Sequence, residues 1–188
     1  MGDSPAAGRT FYLVRREALA SVLPSQVLTP LGRQPAGVRP RLGLLTPLGH
    51  LVRRPWRGKM RDLRRRAVEE YGVETDLLPS PPSRLLRLWD EARVVRRWVR
   101  RHAKDGPVVL HCRGPEATAV GLAVRDRDPS VRVVYDARGA VPEEFAQRLE
   151  LEGHAVDTDA VAAVRETERR AVRHRLGSLL PPARVGDD

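Results

Sequence analysis

The stretch Val108-Val109-Leu110-His111-Cys112-Arg113-Gly114-Pro115 decides the fold, because an apolar run passes directly into the start of a helix. Val108 to His111 has the length and the branched side chains of a buried strand, and a helix is predicted from Glu116 to about Arg125. Val131 to Tyr135 then has the pattern of another strand. Strands separated by a helix predict parallel pairing, since parallel neighbours need a crossover connection.

The same alternation of strand and helix extends towards the amino terminus. Strands are predicted at Phe11–Val14, Leu42–Leu45 and Val73–Leu78, and helices at Leu23–Gln34, at Arg57–Tyr71 and from Ser83 onward. We therefore expect an α/β fold with a Rossmann-like, mostly parallel sheet and helices on both faces. The predicted domain covers residues 10–176, including a mostly helical segment after the fifth strand, with a flexible amino terminus at 1–9 and a disordered tail at 177–188.

Ligands in such folds collect at the carboxyl ends of the strands, which selects the loops Arg15–Gln26, His111–Glu116 and Asp136–Glu144. Cys112 lies in one of them, at a strand-to-helix turn where a thiolate can be stabilised. A phosphatase loop would require an arginine six positions later, where this chain has Thr118. Cys112 is therefore interpreted as a small packed residue. The chain contains neither G-x-G-x-x-G nor G-x-x-x-x-G-K-[ST], so no nucleotide cofactor is predicted.

Composition restricts the classes of partner. The chain has 34 Lys and Arg against 24 Asp and Glu, a net charge of +10, and all but two of its basic residues are arginine. This skew fits either a GC-rich coding sequence or selection for an anionic partner. Aromatic residues make up only 4% of the chain, which argues against single-stranded nucleic acid as that partner. The five histidines and the single cysteine lack the spacing of a metal site, so no metal is predicted.

Three stretches together resemble family 4 glycosyltransferases. They are Ser25-Gln26-Val27, Val109 to Gly114, and Val133 to Gly139 followed by Glu143-Glu144. The resemblance covers roughly Phe11 to Arg175 and matches the amino-terminal, acceptor-side half of the two-domain GT-B fold. It implies that the nucleotide-diphosphate sugar is held by a second domain that this sequence does not match.

The resemblance implies a glycosyltransferase-like acceptor domain, inactive alone or working with a donor-domain protein or as a homo-oligomer. The expected acceptor- or anion-binding residues lie in the three loops: Ser25, Gln26, His111, Arg113, Gly114, Asp136, Arg138, Gly139, Glu143 and Glu144. Arginine can hold phosphate and carboxylates can accept hydrogen bonds from sugar hydroxyls. The Asp136–Glu144 loop also fits an ordinary ion pair before a helix. A non-catalytic binding or scaffold protein with a basic surface is the alternative function.

A final segment combines a tryptophan with clustered positive charge. Trp56 is surrounded by five basic residues, namely Arg53, Arg54, Arg57, Lys59 and Arg61. An amphipathic aromatic ring among cations suits the interface of an anionic membrane, although the same pattern fits a solvated basic helix with Trp56 folded onto the core. No apolar run is long enough to span a bilayer. We therefore expect a cytoplasmic protein with a peripheral contact at the inner face of the membrane.

Overall fold

The fold was obtained as a computed structural model, which describes residues 9–15, 22–81, 87–103 and 106–137, together with isolated helical positions between 158 and 169. The described residues form five strands: β1 (Arg9–Arg15), β2 (Arg41–Pro47), β3 (Thr75–Ser80), β4 (Val108–Arg113) and β5 (Val131–Asp136). The helices are α1, which is π-helical over Pro24–Leu28 and α-helical over Thr29–Gly32, α2 (Leu48–Val52), α3 (Arg54–Glu69), α4 (Arg87–Ala103) and α5 (Gly114–Arg125).

All five strands pair in parallel in the order β3-β2-β1-β4-β5. This confirms the predicted α/β class with a parallel sheet and helices on both faces. The order places β4 beside β1, so the chain first builds one half of the sheet outward from β1 and then returns to build the other half. β1 and β4 therefore form the switch point, the place where ligands bind in open sheets of this kind.

Apolar side chains alternate between the two faces of the sheet and form two cores. One core contains Phe11, Leu13, Leu110 and Cys112 from the strands, packed against α4 and α5. The other contains Tyr12, Val14, Leu42 and Leu44, packed against α1 and α3. We call these the α4/α5 face and the α1/α3 face.

Glycine is required by the backbone at position 72 and by close packing at position 43. Gly72 follows α3 with a φ of 63°, and its amide bonds to the carbonyl of Val68 (2.9 Å), which is the left-handed geometry that commonly ends a helix. Gly43 lies under the indole of Trp98, and a Cβ at this position would come within 2.7 Å of the ring. The helix α4 can therefore approach β2 because residue 43 has no side chain.

The observed elements differ from the predicted ones at most of their ends and by one additional helix. β3 spans Thr75–Ser80 rather than Val73–Leu78, because Val73 is buried in the α1/α3 core as the chain leaves α3. The short helix α2 was not predicted, since its five residues lack a full amphipathic repeat. The sequence pattern located the strands but not their ends.

Candidate functional site

Polar side chains from neighbouring strands meet near the carboxyl end of the switch point. Tyr12 of β1 pairs in register with His111 of β4, and Arg113 of β4 pairs with Asp136 of β5. Side chains two residues apart lie on the same face, so all four project from the α1/α3 face. Together with Gln26 of α1 they form what we call the switch-point cluster.

Direct contacts join the members of the switch-point cluster. The Arg113 guanidinium donates from Nη2 to Oε1 of Gln26, and the Tyr12 hydroxyl donates to Oδ2 of Asp136. The rings of Tyr12 and His111 stack, with centroids 6.4 Å apart and planes inclined by 16°. These contacts join residues up to 124 positions apart in the sequence.

The cluster combines one buried cation with a neutral imidazole. Only 7% of Arg113 is exposed, while His111 and Asp136 are half-buried. Burial lowers the pKa of His111 below its ordinary value of 6.5, and the nearby Asp136 carboxylate opposes this change without cancelling it. His111 is therefore neutral at neutral pH, with one ring nitrogen able to donate a hydrogen bond and the other able to accept one.

The turn after β4 is shaped by Gly114. Its φ of 71° lies in the left-handed region, which glycine adopts without strain. The next residue, Pro115, has no amide hydrogen and is therefore suited to the first turn of α5. Thr118 Oγ1 donates to the Gly114 carbonyl (2.8 Å) and secures this turn. Gly114 thus contributes backbone geometry.

The helix that carries Gln26 begins with π-helical hydrogen bonding. The Thr29 amide bonds to the Pro24 carbonyl five residues earlier, and the Thr29 hydroxyl donates to the same oxygen (2.9 Å). Single π-helical turns occur frequently at functional sites. The exposed Ser25 hydroxyl donates to the carbonyl of Val22 (3.2 Å). The described contacts therefore join Gln26, and not Ser25, to the cluster.

The Cys112 side chain lies on the opposite face of β4 from the switch-point cluster. Its side chain is fully buried on the α4/α5 face, and burial raises the pKa of its thiol. Its Sγ lies so close to α5 that a Cβ on Gly121 would come within 2.6 Å of it. A reactive thiolate would need access and a lowered pKa, so the interpretation of Cys112 as a packed residue is confirmed.

A second polar group, on the α4/α5 face, was missed by the sequence analysis. The carboxylate of Glu91 is fully buried and accepts hydrogen bonds from Arg15 Nε (3.0 Å) and from the Ser80 hydroxyl. Arg15 also contacts the partly exposed Glu116 at the start of α5. One sequence feature indicates this buried carboxylate. Glu91 lies next to Ala92 and four residues before Val95, within the apolar stripe of α4 that faces the sheet.

Several expected site residues lie outside the described part of the chain. These are Arg138, Gly139, Glu143 and Glu144. Arg138 is expected to lie at the same sheet edge as Arg113, because each follows a strand. The adjacency of β4 and β5 that this expectation requires is confirmed. The positions of these site residues remain predictions.

Trp56 is held against its neighbours near the start of α3. Its indole is half-buried and stacks on the ring of His50 with centroids 4.6 Å apart, and Lys59 Nζ lies 5.1 Å from the indole centroid. The flanking Arg53, Arg54, Arg57 and Arg61 are exposed. A membrane contact through this segment remains a prediction.

Neither a membrane span nor a metal site is found in the part of the chain that the structure describes. There, no helix is long and apolar enough to cross a bilayer, and no three His, Cys, Asp or Glu side chains converge as ligands. No protein-family model matches the chain, and no match was found among curated proteins or among solved structures.

Proposed function

We propose that this chain is the acceptor-side domain of a GT-B-type glycosyltransferase, in which the switch-point cluster holds a hydroxyl-bearing, anionic acceptor. The observation that carries the proposal is the meeting of Gln26, Arg113 and Asp136 at the switch point of a parallel sheet. Each of these three residues lies in a different one of the stretches that resemble the family. Gln26 and Arg113, which are in direct contact, are more than eighty residues apart in the sequence.

The chemistry of the cluster suits a sugar-like acceptor. Asp136 offers carboxylate oxygens to hydroxyl donors, Gln26 offers both an amide donor and an acceptor, and neutral His111 offers one of each. Arg113 supplies the positive charge that a phosphate or carboxylate on the acceptor needs. A ligand with hydroxyl groups beside one anionic group therefore matches the polar groups present.

Sugar transfer also requires a site that binds the nucleotide-sugar donor. In the family that the sequence resembles, the nucleotide-diphosphate sugar is held by a second domain, which another domain or a partner chain would supply here. The acceptor domain would then act by positioning the hydroxyl group against the sugar carbon, while the donor domain stabilises the departing phosphate. On this proposal the 188-residue chain binds acceptor and does not turn over a nucleotide sugar.

The test is a titration of the isotopically labelled 188-residue chain with glucose 6-phosphate and glucose 1-phosphate, followed by NMR. We expect shifts centred on His111, Arg113 and Asp136, with weaker binding in Gln26→Ala and Asp136→Asn. Gln34→Ala is the matched control, since Gln34 is an exposed glutamine beyond the same helix. Shifts confined to other surfaces, no shifts at millimolar ligand, or turnover of UDP-glucose by this chain alone would contradict the proposal.

A non-catalytic binding role is the second candidate, and the distribution of charge favours it. The helices α3 and α4 carry net charges of +5 and +4, which leaves the rest of the chain close to neutral. A binding protein of this kind would capture an anionic partner on these helices and leave the switch-point cluster unoccupied in the titration above.

A further inference from the structure

The two basic helices lie on opposite faces of the sheet beside the same edge strand. Both α3 and α4 pack against β3, and β3 is the outermost strand at that end of the described sheet. Edge strands present unpaired backbone groups, which other chains can bind. The positive charge of this protein is therefore concentrated around a sheet edge.

A groove of about 800 Å³ runs between β3 and α4. One wall is the strand itself, from Asp76 to Pro79. The other wall is α4, which contributes Val94, Trp98 and a set of arginines: Arg93, Arg96, Arg97, Arg100 and Arg101. The acidic side chain on the strand wall, Asp76, pairs with Arg41 and accepts a hydrogen bond from Trp98 Nε1 (2.9 Å). Its charge is therefore compensated.

The outer side of β3 offers backbone groups to an added strand. The Leu42 amide bonds to the Glu74 carbonyl (2.8 Å), and backbone groups alternate in direction along a strand. Thr75, Leu77 and Pro79 therefore direct their backbone groups away from β2. Pro79 lacks an amide hydrogen, so it can accept but not donate, which limits pairing to the first part of the edge.

The arginines on the helix wall are spaced for an extended acidic segment. Arg97 and Arg101 are four residues apart, which is about 6 Å along the helix axis. Alternate side chains of an extended chain are about 6.7 Å apart and project from the same face. Glutamate at every second position of an added strand would therefore meet both guanidinium groups.

Nucleic acid fits this groove less well. Stacking platforms for bases need an accessible aromatic face, whereas Trp98 is only 4% exposed. Its ring packs edge-on against Phe11 at a centroid distance of 5.0 Å and covers Gly43. The described groove thus offers cations and strand backbone, and the face of its tryptophan is covered.

We propose that the groove between β3 and α4 is a docking site for an extended acidic peptide segment of a partner protein, which pairs with the outer edge of β3 as a sixth strand. Backbone pairing with Thr75 and Leu77 supplies the alignment, and Arg97 and Arg101 select acidic side chains. This site is separate from the switch-point cluster and does not depend on sugar transfer.

The test uses a fluorescent, end-blocked peptide of roughly eight residues in which threonine alternates with glutamate. We expect saturable binding by fluorescence anisotropy that weakens at high salt, with slower hydrogen exchange at the Thr75 and Leu77 amides. Arg97→Ala combined with Arg101→Ala is expected to weaken binding about tenfold, since two ion pairs are lost. The matched control, Arg33→Ala combined with Arg132→Ala, removes the same charge at exposed positions away from the groove.

A second peptide separates strand pairing from charge attraction. N-methylation of alternate residues keeps every glutamate but removes the amide hydrogens that would face β3, so it should abolish binding. Equal binding of the methylated peptide, equal losses in the two double variants, or unchanged exchange at Thr75 and Leu77 would overturn the proposal. Binding of oligothymidylate instead of the peptide, with the same dependence on Arg97 and Arg101, would assign the groove to nucleic acid and also overturn it.

Discussion

Glu91 and Glu116 contact the same arginine from very different surroundings. The Glu91 side chain is fully buried and bonds to Arg15 and Ser80, whereas the Glu116 side chain is 56% exposed. Removing one partner of a buried ion pair leaves the other charge buried without a counter-charge, which is costly. The attraction within an exposed pair is weakened by solvent, so losing it costs less. The two carboxylates therefore differ in what they contribute to stability.

Glu91→Ala is expected to lower the free energy of unfolding by about 2–4 kcal/mol, because it leaves the Ser80 hydroxyl and part of Arg15 without a buried acceptor. Glu116→Ala is the control and should cost less than about 1 kcal/mol. Urea denaturation of both variants measures the difference. Equal losses would show that Glu91 is no more important to the fold than a surface carboxylate.

At the scale of elements, close packing of α4 on the sheet depends on glycine at position 43, which has no side chain. Trp98 lies over Gly43, and its indole nitrogen bonds to Asp76 on the neighbouring strand. Gly58, in contrast, is in α3 with open space at the position that a Cβ would take. The same substitution should therefore have opposite effects at the two glycines.

Gly43→Ala is expected to destabilise the protein by about 1–3 kcal/mol, since the new methyl group forces the Trp98 ring or the helix to move. Gly58→Ala should stabilise it by about 0.5–1 kcal/mol, because alanine loses less backbone entropy within a helix. Thermal and urea unfolding of the two variants test this pair. A stabilising Gly43→Ala would mean that α4 does not pack on β2 as described.

At the scale of the whole molecule, four titratable groups share one direction of pKa change. Burial lowers the pKa of both His102 and His111. Burial would raise the pKa of Asp76, but hydrogen bonds from Arg41 and Trp98 outweigh it. Hydrogen bonds from Ser130 and then Arg100 lower the pKa of Asp128. The unfolded chain therefore binds more protons than the folded protein on the acid side.

Stability is expected to fall in two steps as the pH is lowered. A group with a lowered folded pKa contributes stability above its unfolded pKa and loses it as pH falls through the folded value. The histidine step should therefore lie below 6.5 and the aspartate step below 3.8. Urea midpoints at about pH 7 and about pH 5 measure the first step, which His102→Gln with His111→Gln should reduce. An unchanged first step in this double variant would contradict the assignment.

The sequence by itself determined the succession of strands and helices along the chain. Apolar runs such as Val108–His111 are recognisable because a buried parallel strand needs branched apolar residues on both faces. Glycine and proline marked the turns, as at Gly72. This alternation was enough to predict a parallel α/β sheet, since each crossover connection restricts how the next strand can pair.

Only the tertiary structure decided which of the polar residues meet. His111, Arg113 and Asp136 were singled out from the sequence, but Tyr12 joins them through a contact across 124 residues, and Glu91 contacts Arg15 across 76. Such contacts depend on strand order and on which face each side chain takes, and a shift of one residue reverses the face. The local pattern of these strands settles neither property, because their apolar residues lie on both faces and the pairing is set by the packing of the whole sheet.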